Sequence, residues 1–94
     1  MTEINRSELE WLILANARTD AITTLVARDI ERARAVAARA GRVAEELWDR
    51  VDVAKERDVH EALRLLNTAV YLSSASRALE REIKYHSPER PCCV

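Results

Sequence analysis

Material for turns and strands is scarce in this chain. Its 94 residues include one glycine, two prolines and no phenylalanine. An all-β architecture needs glycine at its turns and aromatic or β-branched residues along its strands, so that class finds little support. Cysteine is scarce too. The two present, Cys92 and Cys93, both fall in the last three residues and are no disulfide framework. Charge of one sign is missing: 15 basic residues face 16 acidic ones, without the positive excess of a typical nucleic-acid binder. Long apolar runs are missing as well. The run Trp11–Ala15 falls far short of the roughly 20 residues of a membrane span, and it follows a polar opening, Met1–Glu10, unlike a signal peptide. A cytoplasmic protein is the expectation.

What remains is helix-forming. The apolar share, 48%, is too high for intrinsic disorder. Alanine, leucine, arginine and glutamate dominate, which predicts an all-α fold. A chain this short buries only about 60–65% of its unfolded surface, so self-association is the reasonable expectation. One helical domain over residues 1–87 is predicted, followed by a disordered tail over 88–94 that holds Pro88 and Pro91.

Ser7 with Glu10 three residues on reads as a capping box and predicts the start of a first helix. Leu9, Trp11, Leu12, Ile13, Leu14 and Ala15 then fall on nearly every face, as in a helix buried in something. Polar Asn16, Arg18, Thr19 and Asp20 interrupt the run. Either Thr19 or Asp20 caps a new helix or the first helix continues; both readings stay open.

From Val26 a regular seam begins. Val26, Ile30, Ala33, Ala37, Ala40, Ala44, Leu47, Val51 and Ala54 alternate spacings of 4 and 3. The phase survives Gly41, which is therefore read as a glycine inside a helix. It fails after Ala54, where Asp58 and Glu61 would occupy the seam. Asp58 with Glu61 is a second box-like signal, so a tight connection is placed near Lys55–Asp58. A last helix should carry Val59, Ala62, Leu63, Leu66, Ala69, Val70, Leu72, Leu79 and Ile83 and end near Tyr85–His86. The predicted architecture is a long antiparallel helical hairpin with an N-terminal helical segment, completed by dimerisation.

The alanines of the seam shorten the side chains between helices and permit close approach. The seam is also wide, with Val36 and Val43 on one flank and Gly41 and Trp48 on the other. A stripe that broad predicts two neighbours: the hairpin partner and a second copy of the chain. The small residues Ser73, Ser74, Ala75 and Ser76 in the last helix agree with that expectation. A three-helix monomer is the alternative.

Residues 28–42 hold Arg28, Arg32, Arg34, Arg39 and Arg42 against Asp29 and Glu31, whereas residues 45–61 hold seven acids against Arg50, Lys55 and Arg57. Arg28, Arg32, Arg39 and Arg42 are expected opposite the seam. No aromatic residue lies among them to stack a base, and the acidic neighbour weakens any attraction to phosphate, so nucleic-acid binding is the lesser reading. A solvated face, or a sign pattern that selects a partner or an antiparallel copy, is preferred.

Catalytic and metal motifs are absent. His60 and His86 form no His-x₃-His pair and no Glu-x-x-His motif. Cys92 and Cys93 with His86 could hold a metal, but adjacent cysteines lack the usual Cys-x₂₋₄-Cys spacing, so the two cysteines are read as free thiols. Ser73, Ser74 and Ser76 have no nearby base, and no glycine loop cradles a phosphate. No cofactor and no metal are expected. The helical chorismate mutases are similar in length and helicity, but this chain has no glutamine and only Lys55 and Lys84 as lysines, so that enzyme remains a remote alternative.

The chain is thus expected to be non-enzymatic and to bind another protein through Leu9, Trp11, Leu12, Ile13 and Trp48, with Trp11 as anchor. In its plan of two long antiparallel helices and its Ala/Arg-rich composition it resembles the small all-α bacterial anti-activators that bind quorum-sensing transcription factors. That resemblance implies a regulator that blocks the dimerisation or DNA binding of its target; it assigns no residue. A structural subunit of a larger complex is a further alternative.

Overall fold

In the computed structural model the described residues are 4–17 and 20–86. Among them the chain forms four helices and no strand: α1 (Arg6–Ala17), α2 (Asp20–Arg28), α3 (Ile30–Ala54) and α4 (Val59–His86). The tail 88–94, with Cys92 and Cys93, lies outside the described residues, as does Thr19.

α3 and α4 pack along their lengths as the expected hairpin. The 28-residue α4 alone spans about 42 Å at 1.5 Å per residue. The connection runs through Lys55, Glu56 and Arg57. The Arg57 and Asp58 N–H groups donate to the Ala54 carbonyl at 2.9 and 2.8 Å and close the end of α3. Asp58 then caps α4, its Oδ1 accepting from the His60 and Glu61 N–H groups at 3.1 and 3.3 Å. The second half of the box does not form, because the Glu61 carboxylate turns to Arg64 instead.

The seam is the core. Val26, Ala33, Ala37, Ala40, Ala44 and Leu47 are buried, and Ile30 packs against their edge. Val51 and Ala54, near the connection, are half-buried. Gly41 is inside α3, as its phase implied. The seam is not, however, one helix. Asp29 adopts an extended φ of −148° and caps α3, its side chain accepting from the Arg32 N–H at 3.1 Å. Val26 therefore belongs to α2. The spacing hides this break for a physical reason. The Asp29 N–H still reaches the Leu25 and Val26 carbonyls at 3.2 Å, and the Asp29 carbonyl accepts from Ala33. The chain bends there without a looped-out residue, so the phase is kept.

The first helix also begins elsewhere than expected. Asn5, not Ser7, is the capping residue: its Oδ1 accepts from the Glu8 N–H at 2.8 Å, and Glu8 Oε1 accepts from the Asn5 N–H at 3.0 Å. This reciprocal pair is a capping box that spans the four residues from Asn5 to Glu8. Ser7 and Glu10 lie within the helix. The question left open at residues 16–20 resolves into two helices, α1 and α2.

α4 buries Ala62, Ala69, Leu72, Ala75, Ser76 and Leu79. Val59, Leu63 and Val70, apolar residues predicted on this helix, are exposed, because α1, α2 and α3 pack on other faces of α4. Leu66 and Ile83 are half-buried. The small residues of α4 are used within the chain. The buried Ser76 hydroxyl donates to the Ala37 carbonyl of α3 at 2.8 Å, and Ser74 donates to Asn16 Oδ1 of α1 at 3.0 Å. A side-chain hydroxyl can reach the backbone of a facing helix only where the two axes come close, which is what the alanine seam permits.

Candidate interaction surfaces

α1 lies across the hairpin and divides its own apolar residues. Trp11 is 7% exposed and Leu12 0%, and with Ala15 they enter the common core. These two residues, expected to meet a partner, instead hold α1 to the hairpin. A helix laid on a surface buries one side, so the residues facing away stay outside. Leu9 is 43% exposed and Ile13 48%. They stand four apart and share a face.

Polar contacts fix this seat. Asn16 Nδ2 donates to the Tyr71 carbonyl at 3.2 Å. At the other end the Glu8 carboxylate, nearly buried, lies 3.6 Å from Arg39, and Arg32 donates to Ser7 Oγ at 2.6 Å. Arg32 and Arg39 thus flank the seam and turn toward α1 rather than lying opposite it. The sequence pattern of α3 could not show this, because the groups that draw them come from a helix 25–31 residues earlier. Arg34 lies 3.7 Å from Glu31 within α3. The five arginines of residues 28–42 are therefore not gathered into one outward face.

The two flanks of the α3 seam differ. Arg32, Val36, Arg39 and Val43 follow at spacings of 4, 3 and 4 and share the side that α1 closes, with Val36 and Val43 buried. On the other side Gly41 is half-buried and Trp48 is 41% exposed. Here an open groove of about 370 Å³ runs between the helices, lined by Trp48, Val70, Ser73, Ser74, Arg77 and Arg81. Along α4 it continues an apolar row: Val59, Leu63, Leu66 and Val70 at spacings of 4, 3 and 4. Val59 is 62% exposed, Leu63 and Val70 50% each. The sequence shows the spacing of this row on the last helix; it does not show that among the described residues no other element covers it.

Among the described residues the histidines and the serines of the groove do not converge. His60 is exposed at the start of α4. His86 Nε2 sits 3.5 Å from Glu82 Oε1 one turn earlier, far along the chain from the serines of the groove. Glu61 raises the pKa of the exposed Arg64 guanidinium by accepting its hydrogen bond. Among the described residues no three His, Cys, Asp or Glu side chains gather at metal-binding distance, and no helix is long and apolar enough to cross a membrane.

No family model, no curated protein and no solved structure matches the chain.

Proposed function

We propose that this chain is a non-enzymatic, cytoplasmic interaction protein that regulates another protein by docking one of its helices. The observation that carries this reading is the two-sidedness of α1. One side is locked into the core through Trp11, Leu12 and Ala15, and the other carries Leu9 and Ile13 into solvent. Two aliphatic side chains one turn apart on a firmly seated helix suit an amphipathic partner helix, which contributes its own residues at i and i+4. The kind of regulator that the anti-activator resemblance implies fits such a surface: a transcription factor's dimerisation helix is apolar on one face and is masked when that face is covered.

Leu9→Asp/Ile13→Asp tests this. Both residues are half-exposed, so the variant keeps its circular-dichroism spectrum. Cross-linking and capture from the native cell should give a partner bound by the parent chain and lost from the variant. A capture set identical for the two proteins rejects the α1 surface.

A further inference from the structure

Among the described residues the hairpin has a second uncovered side, and its occupant is legible from its pattern. We propose that this side, formed by Trp48 of α3 and the row Val59, Leu63, Leu66, Val70, Ser73 and Arg77 of α4, is the interface of an antiparallel homodimer. This goes beyond the α1 surface and does not use it.

The first support is self-complementarity about Val70. Leu66 lies four residues before Val70 and Ser74 four after; Leu63 and Arg77 lie seven to either side; Val59 and Arg81 lie eleven to either side. Two α4 helices crossed antiparallel at Val70 therefore set each aliphatic residue of one against a small or arginine residue of the other. Leu66 meets the short Ser73 and Ser74, the latter with its hydroxyl already turned to Asn16 of α1. Leu63 and Val59 meet the methylene stems of Arg77 and Arg81, which cover apolar surface while their guanidinium heads remain in water. At the centre Val70 meets Val70, with Trp48 of each copy beside it in the groove. In a two-fold interface every contact of this kind occurs twice.

The second support is charge. The connection end of the hairpin is acidic, its Glu45, Glu46, Asp49, Asp52, Glu56, Asp58 and Glu61 outnumbering Arg50, Lys55 and Arg57, while at the far end of α4 Arg77, Arg81 and Lys84 outnumber Glu80 and Glu82. Among the described residues no ion pair engages Arg77 or Arg81. An antiparallel copy brings these guanidinium groups over the acidic connection of its partner. A parallel copy would set the two acidic connections against each other. Complementary patches of this sort set orientation more than affinity.

The test uses the full chain. Sedimentation over the micromolar range should give twice 10.7 kDa. Val70→Glu places two carboxylates at the axis and should raise the dissociation constant on the order of a hundredfold. Arg77→Glu/Arg81→Glu should weaken the dimer on the order of tenfold, and raising salt should weaken the parent dimer but not this variant. Register is read separately. With Cys92→Ser/Cys93→Ser as background, Val70→Cys should form a disulfide-linked dimer under mild oxidation. Leu63→Cys should link to Arg77→Cys in a mixture but not to itself. A monomer throughout the range, a dimer indifferent to Val70→Glu, or a dimer in which Leu63→Cys links to itself and Val70→Cys does not link, each overturns the proposal. So does a foreign protein seated on Val70 while the free chain stays monomeric. Leu9→Asp/Ile13→Asp should leave the mass unchanged, so the two proposed surfaces fail or stand separately.

Discussion

The Ser76 hydroxyl of α4 donates to the Ala37 carbonyl of α3 at 2.8 Å, and a Cβ placed on Gly41, one turn along α3, would stand 3.5 Å from Ser76 Oγ. That distance is an ordinary van der Waals contact. Gly41 is therefore close to its neighbour but not required by it, and it costs α3 helix propensity. Gly41→Ala should stabilise the chain by about 1 kcal/mol. In a domain of this size that raises the melting temperature by about 4–8 °C. Thermal and urea denaturation of the two proteins check it; a lower midpoint would mean that α4 presses on position 41 more tightly than the geometry shows.

Ser76 itself should be sensitive to size more than to chemistry. Ser76→Ala removes the hydrogen bond, but the Ala37 carbonyl keeps its partner within α3, so no buried group is orphaned. The expected loss is about 1 kcal/mol. Ser76→Leu must push two helices apart where alanine lets them meet, and the expected loss is about 1–3 kcal/mol or more. Urea midpoints should rank the three as Ser, Ala, Leu in falling stability. Leucine at or above alanine would refute close approach at this layer.

Glu8 joins two jobs that are usually separate. Its carboxylate closes the cap on Asn5 and lies against Arg39 of α3. Glu8→Ala removes both and should cost about 1–2 kcal/mol, the scale of a lost cap, with the ion pair adding little at this exposure of Arg39. Glu8→Gln keeps an oxygen for the Asn5 N–H and should lose less than half as much. Amide exchange should quicken first in residues 5–10 of the alanine variant. Equal loss from both variants would assign the stability to the ion pair and not to the cap.

Where sequence and structure diverge, the cause is contact between distant segments. The seam was legible because Ala33, Ala37, Ala40, Ala44 and Leu47 obey a spacing set by helical geometry alone, and Asp58 announced the connection because capping is local. Asp29 was equally local as a cap, yet its signal was masked by hydrogen bonds that carry the phase through the bend. Arg32 and Arg39 were misplaced because Ser7 and Glu8, which draw them, are remote in sequence. The same limit hid the candidate surfaces. Spacing shows that Leu63 and Val70, or Trp11 and Ile13, lie on particular faces of their helices. Only the packing of α1 against the hairpin decides which of those faces is already covered.

That division predicts opposite outcomes for neighbouring residues of α1. The core is rich in alanine, and few large side chains are fully or nearly buried in it, with Trp11, Leu12, Leu72 and Leu79 among them. Truncating one removes a large share of the apolar area that holds α1 in place. Trp11→Ala should cost about 3–5 kcal/mol. Small domains hold about 0.05–0.15 kcal/mol per residue in all, so this variant should be largely unfolded or molten near room temperature. Leu9→Ala and Ile13→Ala remove side chains that are half in water already, and each should shift stability by less than about 1 kcal/mol. Intrinsic fluorescence and circular dichroism during urea titration separate the two cases. If Trp11→Ala keeps a cooperative transition near that of the parent chain, Trp11 is not seated in the core, and it returns as an anchor for a partner.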